Sequence, residues 1–322
     1  MIRIGIIGGG GYAAGELIRL LLGHAEAEIV FVHSESQAGK PLTQVHEGLY
    51  GETDMRFTGE LPLDEADVLF LCLGHGKSAA FTATHYIPAD VRVVDLAQDF
   101  RLAADDNDYV YGLPELNRSA LSCALHVANP GCFATCIQLA LLPLAEAGLL
   151  HGDVAVNAIT GATGAGAMPS PTSHFAWRTG NLSIYKAYEH QHVPEILQSL
   201  RQLQPGYEGH IDFIPYRGDF ARGIFATAVA ECQFPIEEVE TLYHDFYSEA
   251  PFTYYVDAPV DLKQAVNTNK CLIHAERHRD KLLLTACLDN LLKGAAGQAV
   301  QNMNLLFGLE ETTGLRLKPS AF

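Results

Sequence analysis

Over the first 130 residues, nearly unbroken apolar runs alternate with stretches whose apolar positions recur at helical spacing. Residues 3–7 form a short apolar run that ends in four consecutive glycines, 8–11. Leu17, Ile18, Leu20, Leu21 and Leu22 follow on one face and predict a helix over 13–22. Further strands are predicted at 29–32, 68–73 and 91–96, with a helix over 78–85. Strands this uniformly apolar are buried on both faces, as in a parallel sheet flanked by helices. The expected fold is α/β, with a Rossmann-type doubly wound parallel sheet over residues 1–128.

From about residue 129 the pattern changes. A helix is predicted over 133–148 and a strand over 154–160, leading into the small-residue loop 161–166. Alternating, strand-like segments then fall at 223–231, 253–256, 271–275 and 281–288, which reads as a second, α+β domain of antiparallel strands over 129–294. The last long segment, 289–309, is helical in pattern. The C-terminal stretch of about 295–322 is expected to return and complete the first domain.

Composition narrows the function. Against 21 Lys and Arg stand 38 Asp and Glu, a formal charge of −17, with no basic run to meet nucleic acid or an anionic membrane. Hydrophobic residues make up 48% and charged ones 18%, which is globular rather than disordered composition. No apolar run reaches the roughly 18–20 residues of a membrane span. The N-terminal residues lack the zones of a signal peptide, so a cytoplasmic protein is expected. Seven cysteines, an odd number without paired zinc-type spacing, imply neither a disulfide framework nor a metal site.

Candidate chemistry sits at two places. Gly8, Gly9, Gly10 and Gly11 lie between a strand and a helix, where a backbone without Cβ can approach a pyrophosphate and the helix N-terminus attracts it. Gly9-x-Gly11-x-x-Ala14 fits the dinucleotide fingerprint, with Tyr12 and Ala13 opening the helix beside it. After the second strand, Ser34 and Ser36 with Lys40 suit a ribose 2′-phosphate, while Glu35 suits a free hydroxyl. NADP is the expected cofactor.

The second place is Asn129-Pro130-Gly131-Cys132-Phe133-Ala134-Thr135-Cys136. Cys132 directly precedes an apolar helix, where the positive end of the macrodipole favours thiolate; it is the expected nucleophile. Cys136, one turn on, reads as a core cysteine. His190-Gln191-His192-Val193-Pro194-Glu195 offers two imidazoles at a helix start, with Glu195 placed to reach back to the His192 ring. Among the few arginines, Arg101 in Asp99-Phe100-Arg101, and Arg217 and Arg222 in the 217–223 segment, offer forks for an anion.

Taken with Thr160-Gly161-Ala162-Thr163-Gly164-Ala165-Gly166 and the run from Asp289 to Asn302, these motifs occur in an order that resembles the N-acetyl-gamma-glutamyl-phosphate reductase family of arginine biosynthesis, a relative of aspartate-semialdehyde dehydrogenase. The resemblance spans residues 4 to about 309. It implies NADPH-dependent reduction of an N-acylglutamyl 5-phosphate to the semialdehyde. It implies a semialdehyde dehydrogenase-like fold whose second domain is catalytic and dimerising, in a homodimer or homotetramer. By the same resemblance Cys132 is the nucleophile, His192 the acid/base, Glu195 its orienting partner and His190 a substrate-side histidine. Arg101 and Arg222 would face the substrate, and Asn290 would lie near the nicotinamide.

One departure stands out. Many members of the family carry a basic residue directly after the small-residue loop, whereas here Gly166 is followed by Ala167-Met168-Pro169. Three other readings stay open: the same reaction on an N-succinyl substrate, an aspartate-semialdehyde dehydrogenase, and a catalytically silent dinucleotide-binding sensor. The His-x-His-x-Pro-Glu motif stands against the second, and an intact Cys132 against the third. A cysteine hydrolase would leave the glycine loop unexplained.

Overall fold

The chain begins with strand β1 (Ile2–Ile7) and helix α1 (Tyr12–Leu22), followed by β2 (Ala27–His33), β3 (Val68–Leu71), α2 (Lys77–Thr84) and β4 (Arg92–Asp95). Then come β5 (Val110–Tyr111), α3 (Pro114–Leu121) and β6 (His126–Ala128). The six strands make one parallel sheet in the order β2-β1-β3-β4-β6-β5. Ile4, Ile6, Ile7 and all of β3 are fully buried, which is why these strands read as unbroken apolar runs. Four strands are expected from the pattern; β5 and β6, two and three residues long, are too short to leave a periodic signal.

The second part opens with α4 (Cys132–Glu146), followed by β7 (Val154–Thr160), α5 (Phe175–Arg178), β8 (Ser183–Ile184) and α6 (Val193–Leu203). It continues through β9 (Ile211–Arg217), β10 (Ile224–Glu231), α7 (Ile236–Phe246), β11 (Thr253–Tyr255), β12 (Cys271–His278) and β13 (Lys281–Leu288). Its seven-stranded sheet has the order β11-β12-β13-β10-β7-β9-β8. The sheet is mixed rather than antiparallel throughout. β7 pairs with β9 and β11 with β12 in parallel, because each of those connections carries the chain over a crossover instead of a hairpin. Every residue of α4 from Phe133 to Ala145 is buried, and the helix packs against α6, α7 and strands of the sheet. A helix apolar on all sides is one enclosed by its neighbours.

The predicted helix over 289–309 is broken. A π-helical turn at Leu292–Ala296 precedes α8 (Gly297–Leu306). The computed structural model describes residues 1–320 and resolves into two compact units. One is 1–130 with 295–316; the other is 131–294 with the residues from 317. The C-terminal stretch therefore completes the first unit only as far as Arg316. Residues 321–322, at the end of that expected stretch, lie outside the described residues. α8 packs on α1 and α3, and Asn302 ties it to the sheet by donating to the Gly112 carbonyl (2.8 Å) and to Asn129 Oδ1 (3.1 Å).

Candidate active site

In the first unit, the glycine loop is held by β2: the N–H groups of Gly8 and Gly9 donate to the His33 carbonyl at 3.1 and 2.9 Å. The glycines have different jobs. Gly8 has φ +85 and lies against the Cys72 carbonyl, and Gly9 lies against Val32, so both are required by packing. Around a Cβ on Gly11 there is nothing within 4 Å, and around one on Gly10 only Gln37 and Ser34 Oγ, both at 3.8 Å. Gly10 and Gly11 thus leave open the space that a pyrophosphate needs at the N-terminus of α1. Tyr12 is exposed and Ala13 partly buried on the first turn. Ser34 is buried beside Gly10; Ser36 is exposed and lies 3.5 Å from Gln37 Nε2, while Lys40 reaches Gln37 Oε1 at 2.9 Å. These residues fit a dinucleotide with a phosphorylated ribose.

In the second unit, Cys132 is the first residue of α4 and is half-buried. The structure gathers His190, His192 and Glu195 at the same helix end. The N–H of Ala134 donates to His192 Nδ1 (3.3 Å), and the N–H of Gly131 donates to Glu195 Oε2 (3.0 Å). Glu195 Oε1 stands 4.0 Å from His192 Nε2, so the carboxylate lies closer to the backbone of Gly131 than to the imidazole. His190 packs edge-on to His192, Phe133 and Phe213 and accepts from the His192 N–H at 3.2 Å. Burial first, then the neighbouring His192 and the charge of Lys186, push His190 down to about 3. It is a neutral ring at any ordinary pH. Cys136 is fully buried and its thiol is held well above its ordinary value, by burial and a hydrogen bond with Cys271, which fits a core cysteine.

Arg222 and Asn290 sit on a second knot of the same unit. Asp289, fully buried, accepts Arg222 Nε (3.1 Å) and Nη2 (3.2 Å) as well as the N–H groups of Asn267 and Leu291. Asn290 uses both ends of its amide, Oδ1 accepting from Gly223 N–H (2.6 Å) and Nδ2 donating to Thr163 Oγ1 (3.1 Å). The π-helical turn that follows brings Gly294 so close to the nucleophile candidate that a Cβ there would stand 2.8 Å from Cys132 Cβ. Such turns collect at functional sites. Arg101 belongs to the first unit, where it is buried and donates to the carbonyls of Asn129 (2.9 Å) and Leu96 (3.0 Å).

Three contributors escape the sequence reading. Gly131 supplies the flat ground for His192: a Cβ there would collide with the ring. Asp289 organises Arg222 and the loop before Gly294; its one signal is that it opens the Asp289–Asn302 motif. Tyr185 lies under the Arg217 guanidinium, 4.5 Å from its ring centroid, and edge-on to His190 at 5.8 Å; nothing in its neighbourhood in the sequence marks it. Among the described residues no cluster of three or more His, Cys, Asp or Glu is placed to hold a metal ion, and no helix is long and apolar enough to cross a membrane.

Comparison with known proteins agrees with this division. Residues 3–124 match the family described as semialdehyde dehydrogenase, NAD binding domain, and residues 132–290 the family described as semialdehyde dehydrogenase, dimerisation domain. The chain is 64% identical, over the whole of both chains, to a protein of Bacteroides thetaiotaomicron named N-acetyl-gamma-glutamyl-phosphate reductase. Proteins of the same name from Phocaeicola vulgatus and Christiangramia forsetii are 63% and 54% identical, again over both full lengths. Among solved structures, aspartate semialdehyde dehydrogenase II of Vibrio cholerae superposes with a TM-score of 0.74 at 18% identity, covering 96% of this chain and 98% of that one. The Candida albicans aspartate semialdehyde dehydrogenase solved with NADP gives 0.73 at 16% identity, covering 95% and 98%. These two likenesses are of fold.

Proposed function

This chain belongs to the N-acetyl-gamma-glutamyl-phosphate reductase family, and from that membership we propose that it works through a thioester on Cys132. The reaction is the NADPH-dependent reduction of N-acetyl-L-glutamyl 5-phosphate to N-acetyl-L-glutamate 5-semialdehyde and phosphate, a step of arginine biosynthesis. The observation that carries the mechanism is the placement of a half-buried Cys132 at the first position of α4, with His192 capping that same helix end.

The Cys132 thiolate, favoured by the helix N-terminus, attacks the acyl carbonyl. The bond to the phosphate oxygen breaks, phosphate leaves, and a thioester remains on Cys132. NADPH, when bound, supplies the hydride that reduces this thioester. The resulting thiohemiacetal oxyanion needs a donor. Because His192 Nδ1 accepts the Ala134 N–H, the neutral ring carries its proton on Nε2 and donates from there. The proton returns to His192 as the C–S bond breaks, and Cys132 leaves as thiolate. Glu195 holds Gly131 and so the backbone on which the His192 ring rests. His190, neutral, borders the substrate, as does Arg222, whose guanidinium is fixed by Asp289; Arg101 of the first unit is a further candidate for the substrate's charged groups.

For the cofactor, Gly10 and Gly11 would hold the pyrophosphate, with Gly8 and Gly9 shaping the turn and Tyr12 and Ala13 opening the helix beside it. Ser34 and Ser36 would hold the 2′-phosphate, and Asn290 is the family's candidate residue for the nicotinamide. The chain acts in the cytoplasm as a homodimer or homotetramer. The test is phosphate-dependent reduction of NADP⁺ with N-acetylglutamate 5-semialdehyde and with its N-succinyl analogue, for the native chain and Cys132→Ala. Turnover of the acetyl compound that disappears in Cys132→Ala is expected. Turnover of neither aldehyde, or full turnover without the thiol, would overturn the proposal.

A further inference from the structure

A second group of side chains gathers beside His190, and it is cationic in a protein whose net charge is −17. Arg217 closes β9, and its guanidinium lies over the Tyr185 ring at 4.5 Å. Tyr185 in turn packs edge-on to His190 and lies within electrostatic reach of Cys132. Lys186 follows, donating to Gln191 Oε1 at 3.0 Å. The charges of Lys186 and Arg217 both act on His190.

The local backbone is built to keep this arrangement. Tyr185 N–H and Tyr188 N–H are pinned to the carbonyls of Pro215 and Phe213 on β9, and between them Lys186 (φ 47) and Tyr188 (φ 63) take the left-handed conformation that side chains avoid. A third cation, Arg178, spends its donors on carbonyls, including that of Arg217 at 2.5 Å, and on Ser183. It therefore props the backbone of Arg217. Arg217 itself makes no ion pair among the described residues, and its Nε is buried without a hydrogen-bond partner among them. A guanidinium and an ammonium without a carboxylate partner among the described residues, next to one neutral imidazole, are the donor set for an oxyanion.

We propose that Arg217 and Lys186 form the subsite for the phosphoryl group of the acyl phosphate, a reading that rests on the proposed reaction. A carboxylate is satisfied by one guanidinium fork. A phosphate dianion calls for more than one cation. In the forward direction the pair withdraws charge from the leaving phosphate. In reverse, inorganic phosphate held there attacks the thioester carbonyl, the C–S bond breaks, Cys132 leaves as thiolate and the acyl phosphate forms. No basic residue directly follows the 161–166 loop, so this pair supplies charge that the loop does not.

The test separates the substrates of the reverse reaction. Arg217→Gln should raise KM for phosphate roughly ten- to hundred-fold, the range expected for a lost charge-assisted hydrogen bond, and leave KM for NADP⁺ and for the semialdehyde within about two-fold. Arg217→Lys should recover part of the loss, and Lys186→Ala should raise the phosphate KM less. Binding of inorganic phosphate to the whole protein, followed by calorimetry without turnover, should weaken in parallel. A rise confined to the semialdehyde KM would assign the pair to the carboxylate and overturn the proposal. Equal phosphate binding by the native chain and Arg217→Gln would also overturn it. A native chain that binds phosphate through Arg217 but turns over neither semialdehyde would instead count against the reaction alone.

Discussion

The backbone N–H of Ala134 donates to His192 Nδ1, so one imidazole caps the first turn of the helix that Cys132 opens. One of the N–H groups orphaned at the helix start is thereby satisfied by the proposed acid/base residue itself. The ring can hold this place only because residue 131 has no Cβ. Gly131→Ala should therefore displace the imidazole and lower kcat on the order of a hundred-fold, the cost of an ångström-scale misplacement. KM for NADPH should stay within about two-fold. Steady-state kinetics decide it, and a variant with native kcat would mean that the ring position does not matter.

Glu195 invites a sharper discrimination. If it acts on His192 by charge, Glu195→Gln should be as damaging as Glu195→Ala. The geometry favours the other outcome, since Oε2 accepts from Gly131 at 3.0 Å while Oε1 stands 4.0 Å from the ring. A glutamine oxygen can accept the same N–H. Glu195→Gln should then keep kcat within about ten-fold, whereas Glu195→Ala leaves a buried N–H unmet and costs about 1–3 kcal/mol of stability. Denaturant melts and kcat of the two variants, compared side by side, separate hydrogen bonding from charge.

The apolar runs at β1 to β4 and the exposed-face alternation of β10 and β13 were legible because burial repeats with a period the chain must display. So were Cys132, His190, His192 and Glu195, whose motif places them on two helix starts that come together. The parallel pairing of β7 with β9 was not legible, because strand direction depends on the connection and not on the strand's own residues. Nor was the service of Asp289 to Arg222, 67 residues away, or of Gly131 to His192. A contact between distant side chains leaves no periodic trace; only its chemistry, one buried acid and one ring, is written locally.

Two buried groups give opposite acid responses. His190 titrates at about 3 in the native chain against 6.5 ordinarily. Between those values the unfolded chain binds a proton that the native one does not, so its contribution is present above about pH 6.5 and is lost as pH falls toward 3. Asp95, fully buried, is raised to about 6 from 3.8, chiefly by burial and against the hydrogen bond from Ser78. Above pH 6 the native state bears a buried carboxylate, and stability from this group returns as pH falls from 6 toward 4. Asp95→Asn keeps an oxygen for Ser78 and Ala97, so it should be more stable than the native chain at pH 8 and lose that advantage by pH 4. His190→Gln should lose less stability than the native chain between pH 7 and 4. Each pKa unit is worth about 1.4 kcal/mol at most. Urea midpoints at pH 4, 6 and 8 read both, and parallel curves for all three proteins would refute the assignment.

The glycine loop offers the cleanest separation of fold from binding. A Cβ on Gly9 would press into Val32 and meet Phe57 at 3.1 Å, in a core that has no spare volume. Gly9→Ala should lower stability by about 1–3 kcal/mol, with cofactor affinity falling only as a consequence. A Cβ on Gly11 meets nothing within 4 Å, and its backbone φ of −90 is open to any residue. Gly11→Ala should therefore melt like the native protein in the absence of ligand. Its methyl group would instead occupy the approach to the pyrophosphate, where the helix N–H groups must come within hydrogen-bond reach. KM for NADPH should rise at least ten-fold, with kcat at saturating cofactor little changed. Thermal melts with and without NADPH supply the decisive contrast: the nucleotide should stabilise Gly9→Ala much as it does the native chain and should stabilise Gly11→Ala far less. Equal ligand-induced shifts in both variants would remove Gly11 from the cofactor site.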